Sequence, residues 1–399
     1  MPSSQPLTPS AELEHRIRRF QGRLKAGGLE GALIVQNADL FYFSGTIQQS
    51  HLYIPVEGEP LLMTRKSLRR AMEESSLKRI EPVGSPRQIP ELLRSAGLPL
   101  PSVLGLELDV LPASHYLAYT NLFPDCRMQD VSHDIRSVRA VKSAYEIGLI
   151  REAARKADEV AGTLKSHLRE GMTEVELAGL MEAEARKRGH QGIVRMRMWG
   201  GELFYGHLMT GPPAAVPSYL SSPTGGRGLS PAVAQGPGFA PIRAGQPILL
   251  DYVFAWNGYI ADHTRIFAIG GLPPELLDAH GAMLEIQETV KSAARPGVSS
   301  GDLYDLAISS AESRGFGQWF MGADEGRIRF VGHGIGLELD EYPFLARGQE
   351  MPLEPGMVIA LEPKLIIPGK GVVGIENTHL VTEAGLEQLT VYDESIQII

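Results

Sequence analysis

The sequence predicts a mixed α/β (α+β) fold in two parts, a small α/β domain over residues 1–138 and an internally duplicated domain over 139–399. Three observations carry this. Short apolar runs alternate with helical patterns over roughly the first 130 residues; a helix-start signal at Ser143-x-x-Glu146 opens a different pattern; and the second part echoes itself at an offset of 126 residues. A chain of 399 residues has length for two or three domains at ~150 residues each and can bury a large core.

Residues 11–26 are amphipathic, with Glu12 and Glu14 early and Arg16, Arg18 and Arg19 later, and Gly27-Gly28 end them as a helix. GALIVQ (31–36), LFYFSG (40–45), HLYIPV (51–56) and PLLMT (60–64) read as strands, the last two joined as a hairpin at Glu57-Gly58-Glu59. A helix near 66–76, a helix over 88–96, a strand over 103–108 and a helix over 113–120 complete the first domain. The pattern changes around Asp134–Arg139. The helix capped by Ser143 and Glu146 runs to about Arg169, Gly171 stops it, and Thr173-x-x-Glu176 opens another that ends at Arg188-Gly189.

The echo overlays residues 169–189 on 295–315 with seven of 21 positions identical. It continues where Asp251 follows Gly245 by six residues and Glu362 follows Gly356 by six. Each half thus holds a glycine-started apolar strand that ends in a carboxylate, over roughly 150–270 and 275–390. Between them, residues 211–239 contain six glycines and six prolines and read as a loop, either shaping a site or merely solvated.

Composition excludes several functions. Lys and Arg total 38 against 47 Asp and Glu, a net charge of −9, which disfavours a nucleic-acid backbone as partner. The single cysteine, Cys126, excludes an internal disulfide framework and a thiolate cluster and fits a reducing cytoplasm. No run approaches the ~18 apolar residues of a membrane span, so the expectation is a soluble cytoplasmic protein. Phosphate-loop and H-E-x-x-H motifs are lacking, and Cys126 with His133, at the end of the first domain, is set aside as a nucleophile pair.

The chemistry concentrates in the second domain. In ILLDYVFAWNGYIADHTRIF (248–267), Asn257-Gly258 is a strong hairpin turn signal, and two-residue pairing puts Asp251 and Asp262 on one face. In MVIALEPKLIIPGKGVVGIENTHLV (357–381), a loop centred on Gly369 does the same for Glu362 and Glu376. Four carboxylates brought together repel unless they are protonated or bind cations. His333, between glycines in FVGHGIGLELDEYP (330–343), supplies a neutral nitrogen donor. This donor set favours Mn(II), with Co(II), Fe(II) and Zn(II) open, and four carboxylates hold two ions more naturally than one.

With the order Asp251-x10-Asp262, GHGIG, LEP and IENT, the chain resembles the pita-bread metallopeptidases, the family of methionine and proline-specific aminopeptidases, prolidase and creatinase. GALIVQNADLFYFSG is similar to the creatinase-type N-terminal domain, and VKSAYEIGLIREAARKADE to the entry helix of the catalytic half. The resemblance implies a creatinase-like domain over 1–138 and a pseudo-twofold pita-bread catalytic domain over 139–399. It implies five metal ligands, Asp251, Asp262, His333, Glu362 and Glu376, for two divalent cations bridged by Asp262 and Glu376. Glu362 doubles as general base, Arg265 matches the family's arginine, and a homodimer is the implied assembly.

Two positions depart from the proline-specific pattern. Ser218 and Asp340 stand where those members carry histidines that hydrogen-bond the substrate. His207 and Tyr219 lie near the first departure as replacements, and Arg195 and Arg197 would attract a substrate carboxylate. An ordinary hydrogen-bonded histidine and a solvated arginine edge are the alternatives. The leading expectation is a dinuclear metallohydrolase cleaving short Xaa-Pro peptides. A creatinase-like amidinohydrolase or lyase and a non-catalytic binding homologue remain open beside it.

Overall fold

The computed structural model describes residues 7–197, 202, 205–323 and 326–399. Among them, no helix is long and apolar enough to cross a membrane. The chain divides into two compact units, Met1–Arg139 and Ala140–Ile399.

The first unit runs α1 (Ser10–Ala26), β1 (Gly31–Ile34), α2 (Asn37–Ser44), β2 (Ser50–Pro55), β3 (Leu61–Thr64), α3 (Leu68–Glu74), β4 (Ile80–Pro82), α4 (Ile89–Ser95), β5 (Val103–Leu106), α5 (Ala113–Leu122), β6 (Arg127–Asp130) and α6 (Ser132–Ala140). Its six strands form one mixed sheet in the order β4-β3-β2-β1-β5-β6. The β2–β3 hairpin pairs Tyr53 with Leu61, as the turn residues predict. LFYFSG is not a strand. It belongs to α2, whose N-terminus is capped by the Gln36 side chain and whose end is set by Gly45 in the left-handed conformation. Ala38, Leu40, Tyr42 and Phe43 are all buried, so this helix has no polar face to give it a helical period.

The second unit opens with α7 (Ala144–His167), started by the Ser143–Glu146 capping box, and α8 (Glu174–Lys187), started by the Thr173–Glu176 box. It continues through β7 (Gly206–Thr210), α9 (Gly211–Ala214), β8 (Ile248–Trp256), β9 (Tyr259–Ala268), α10 (Pro274–Ala293) and α11 (Ser300–Ser313). Then come β10 (Phe330–Gly334), β11 (Glu341–Ala346), β12 (Val358–Leu361), β13 (Lys364–Ile367), β14 (Gly371–Gly374), β15 (Asn377–Thr382), β16 (Gly385–Gln388) and β17 (Gln397–Ile398). The strands form sheets in the orders β17-β9-β8-β7 and β11-β10-β12-β15-β16, with β13-β14 as a separate ribbon.

The internal echo is visible in the backbone. Gly171 at φ 88° precedes α8 and Gly297 at φ 87° precedes α11, each helix has 14 residues, and their caps bridge to Pro241 and Pro352 respectively. One apolar core lies under both sheets, with Met283, Ile286 and Val290 of α10 and Ala307 and Ala311 of α11 packed among Leu249, Ile266, Leu361 and Val372. Each fully buried Leu, Ile or Met contributes roughly 1.5–3 kcal/mol, so the strands that bear the carboxylates are fixed from behind. The segment expected to be a loop throughout, 211–239, opens with the four-residue α9, where Pro212 and Pro213 sit in the first turn that tolerates them, and has no further helix or long strand.

Candidate metal centre

Strand pairing builds the centre row by row. Asp251 on β8 sits directly opposite His207 on β7 and Thr264 on β9, and Thr264 in turn bridges to Glu376. The two-residue turn at Asn257-Gly258 pairs Trp256 with Tyr259, which sets Val253 opposite Asp262. Asp251 and Asp262 therefore share a face, but as diagonal neighbours: the direct partner of Asp251 is Thr264, whose hydroxyl donates to Glu376 Oε2 at 3.0 Å.

The second ribbon keeps one register on both sides of the carboxylates, with Leu361 opposite Asn377 and Lys364 opposite Gly374. Glu362 and Glu376 are thereby placed across from each other, and the turn around Gly369 closes the ribbon. His333 on β10 pairs with Ala360 of β12, and its Nε2 lies 3.8 Å from Glu362 Oε1 and 3.9 Å from Glu376 Oε1. Ligand atoms of Asp262, His333 and Glu376 all lie within 4.8 Å of one another, and all three residues are buried.

One residue of the centre was not anticipated. Lys364 follows Glu362 by two positions, so strand alternation turns both side chains to the same face. Its Nζ donates to Glu376 Oε2 at 2.7 Å, Glu362 Oε2 at 2.9 Å and Asp251 Oδ2 at 3.1 Å. All three ammonium protons are thus spent on carboxylates, at the short distances of charge-assisted bonds. Asp262 receives none, and its buried Oδ1 has no hydrogen-bond partner. An orphaned carboxylate oxygen beside a histidine nitrogen fits a divalent cation held by Asp262, His333 and Glu376. The expected pair of cations does not fit equally well, because an ammonium already lies between Asp251, Glu362 and Glu376.

The electrostatics follow the same division. Burial drives the Asp262 carboxyl well above its ordinary range, and Glu376 and Asp251 add to the shift. Glu376 is raised to about 7, by burial and, against the pull of Lys364, by Glu362 and Asp251. Burial also works to raise Asp251, but Lys364 and His207 outweigh it and hold that carboxyl low. Burial opposes the charge on Lys364, yet Asp251, Glu362 and Glu376 together hold its pKa well above the ordinary lysine value. His333 is raised because Asp340, Glu362 and Glu376 overcome its burial, whereas burial lowers His207.

These groups open on a cleft of about 620 Å³ whose walls include Met196, Leu220, Pro223, Val253, Phe330 and Leu339. Ser221, Ser222 and Gln235 also line it, so the Gly/Pro-rich loop forms one side. His207 and Asp340 face the cleft, and Asp340 Oδ1 lies 3.6 Å from His333 Nδ1. Ser218 and Tyr219 are not among its lining residues: Ser218 Oγ accepts the Leu220 backbone N–H, and Tyr219 is 60% exposed. Arg197 approaches Glu338 at 3.7 Å, and the Arg195 carbonyl accepts the Leu339 N–H. Neither arginine lines the cleft, whereas Met196 between them does; the end of the RMRMW segment lies outside the described residues. Arg265 is fully buried behind Glu376 and likewise outside the lining. Besides Lys364, sequence reasoning passed over Thr264, for which pairing with Asp251 through the Asn257-Gly258 turn was the available signal.

Comparison with known proteins places this chain among peptidases. The profile of Metallopeptidase family M24 matches residues 148–383, and that of the Creatinase/Prolidase N-terminal domain matches residues 16–141. An Xaa-Pro dipeptidase from Pyrococcus furiosus is 27% identical over 384 residues, covering 95% of this chain and 98% of that protein. The crystal structure of an X-Pro aminopeptidase from Thermotoga maritima superposes with a TM-score of 0.80 at 25% identity, covering 96% of this chain and 99% of the other. The Xaa-Pro dipeptidase from Bacillus anthracis shares the fold with a TM-score of 0.83 at 24% identity, over 97% and 100% of the two chains.

Proposed function

The chain belongs to metallopeptidase family M24, and from that premise we propose that it is a divalent-metal-dependent hydrolase cleaving short peptides next to proline, as an Xaa-Pro dipeptidase or aminopeptidase. The observation that carries this reading is the convergence of Asp251, Asp262, His333, Glu362 and Glu376 on one apolar-walled cleft. Support for the substrate class comes from relatives that are named Xaa-Pro dipeptidase and X-Pro aminopeptidase.

Asp262, His333 and Glu376 would hold the cation, and their mostly oxygen donors favour manganese. When bound, a divalent cation polarises a scissile carbonyl and acidifies water. Glu362 has its Oε2 engaged by Lys364 and its Oε1 turned toward His333, so Oε1 is the atom that takes a proton from the attacking water. His207, on the cleft opposite Asp251, donates to the substrate carbonyl in place of the histidines replaced by Ser218 and Asp340. Leu220, Pro223 and Phe330 pack against the proline ring and exclude bulk water. A homodimer in a reducing cytoplasm is the proposed setting.

A second reading rests on Asp340, a carboxylate facing the cleft, which suits a guanidinium-bearing small molecule and hence an amidinohydrolase. The test is hydrolysis of Xaa-Pro dipeptides and longer Xaa-Pro peptides with added Mn(II) and after chelation. Turnover that chelation abolishes supports the proposal. Inertness toward every Xaa-Pro peptide, with turnover of a guanidino substrate, replaces it with the second reading.

A further inference from the structure

We propose that Lys364 is a built-in cation that takes the place of a second metal, so that the centre binds one divalent ion per chain. The inference rests on the reading of this cleft as a metal centre and adds the number of ions and the residue that sets it.

The argument is the division of oxygen atoms. Lys364 Nζ holds Glu362 Oε2, Glu376 Oε2 and Asp251 Oδ2, all within 3.1 Å. The opposite oxygens, Glu362 Oε1 and Glu376 Oε1, turn to His333 Nε2. Paired metals about 3.5–4 Å apart share carboxylates by taking one oxygen each. Here the ammonium takes one set of oxygens; Glu376 Oε1 is left for a metal beside His333 and the orphaned Asp262 Oδ1, and Glu362 Oε1 is left as the base. A second dication would have to displace a lysine that is 2% exposed at its side chain and bonded through all three protons.

The backbone is built for this lysine. Lys364 pairs with Gly374 at φ 153°, and a Cβ at position 374 would lie 2.7 Å from Lys364 Cα and 3.1 Å from its Cγ. Glycine opposite the lysine leaves the room through which its stem crosses to the carboxylates.

The test is metal counting. Full-length protein is stripped with chelator, reloaded with Mn(II), dialysed and analysed by elemental mass spectrometry, with electron paramagnetic resonance distinguishing an isolated Mn(II) from a spin-coupled pair. One ion per chain with an isolated signal is expected for the unaltered protein, two with a coupled signal for Lys364→Ala, and none for His333→Ala. Two ions in the unaltered protein, none, or a folded Lys364→Ala still holding one overturns the inference. Should Lys364→Ala not fold, the count and signal of the unaltered protein decide. Xaa-Pro turnover measured on the same samples keeps the two questions apart. Two ions with turnover removes the role of Lys364 and leaves the peptidase, whereas one ion without turnover does the reverse.

Discussion

Arg265 Nη1 donates to the backbone oxygen of Glu376 at 3.0 Å while Nη2 donates to the side chain of its neighbour Asn377 at 2.8 Å. Its Nε reaches the Tyr392 carbonyl at 2.9 Å, so one guanidinium pins the strand that delivers Glu376 to the centre. Lysine cannot serve these acceptors from a single nitrogen. Arg265→Lys is therefore expected to cost about 1–3 kcal/mol of stability and to weaken Mn(II) retention by ~10-fold or more. Thermal melts and metal titration check this, and a variant with unaltered metal affinity would remove Arg265 from any positioning role.

His207 faces the cleft with its pKa lowered by burial, a state suited to donating a hydrogen bond as a neutral ring. Replacing it with alanine is expected to lower kcat by ~10²–10³ while the number of bound ions stays the same. Steady-state kinetics beside metal analysis is the check. Undiminished kcat would reduce His207 to a packing residue.

Acid should loosen the second unit through its buried histidines. Burial lowers His379 to about 3 and His190 to about 4, from an ordinary 6.5. Between those values the unfolded chain binds protons that the folded chain refuses, so the contribution of these two histidines falls as pH drops below 6.5, opposite in sign to that of the raised Glu376 carboxyl, and above 6.5 it is absent. The slope is about 1.4 kcal/mol per pH unit for each histidine. The difference between the unaltered protein and His379→Gln in urea unfolding at pH 7 and pH 5 isolates it, the variant losing less stability on acidification; an unchanged pH dependence contradicts the assignment.

Gly374→Ala should be costly. The added Cβ would lie 2.6 Å from the Pro363 carbonyl and 2.7 Å from Lys364 Cα, both backbone atoms that cannot swing aside. A loss of roughly 1–3 kcal/mol is expected, together with weakened Mn(II) retention. Wild-type melting and metal content in a folded variant would show that the ribbon yields more easily than its geometry allows.

The acidic cluster was legible because two turns encode it. Asn257-Gly258 sets the register of one hairpin and the loop around Gly369 that of the other, and period-two alternation then places each carboxylate on its face. The same alternation applied from Glu362 to Lys364 leads to the ammonium, but a lysine after proline reads as an exposed turn residue until its neighbours are known. The segment from Leu40 to Gly45 misled for the opposite reason, since a helix buried over most of its surface shows an apolar run and no period. The strands β4 and β6 escaped notice because they are short and largely polar at the edges of their sheet. That Leu220 and Pro223 face the cleft while Ser218 and Tyr219 do not depends on how an irregular loop folds back, which no periodicity records.

The lysine stem lying across Gly374 ties two distant letters of the sequence into one inherited trait. A lineage could not acquire the ammonium while a bulky residue occupied the facing position, nor later refill that position without evicting the ammonium. Kin that share this chemistry should therefore be sought by the two letters jointly.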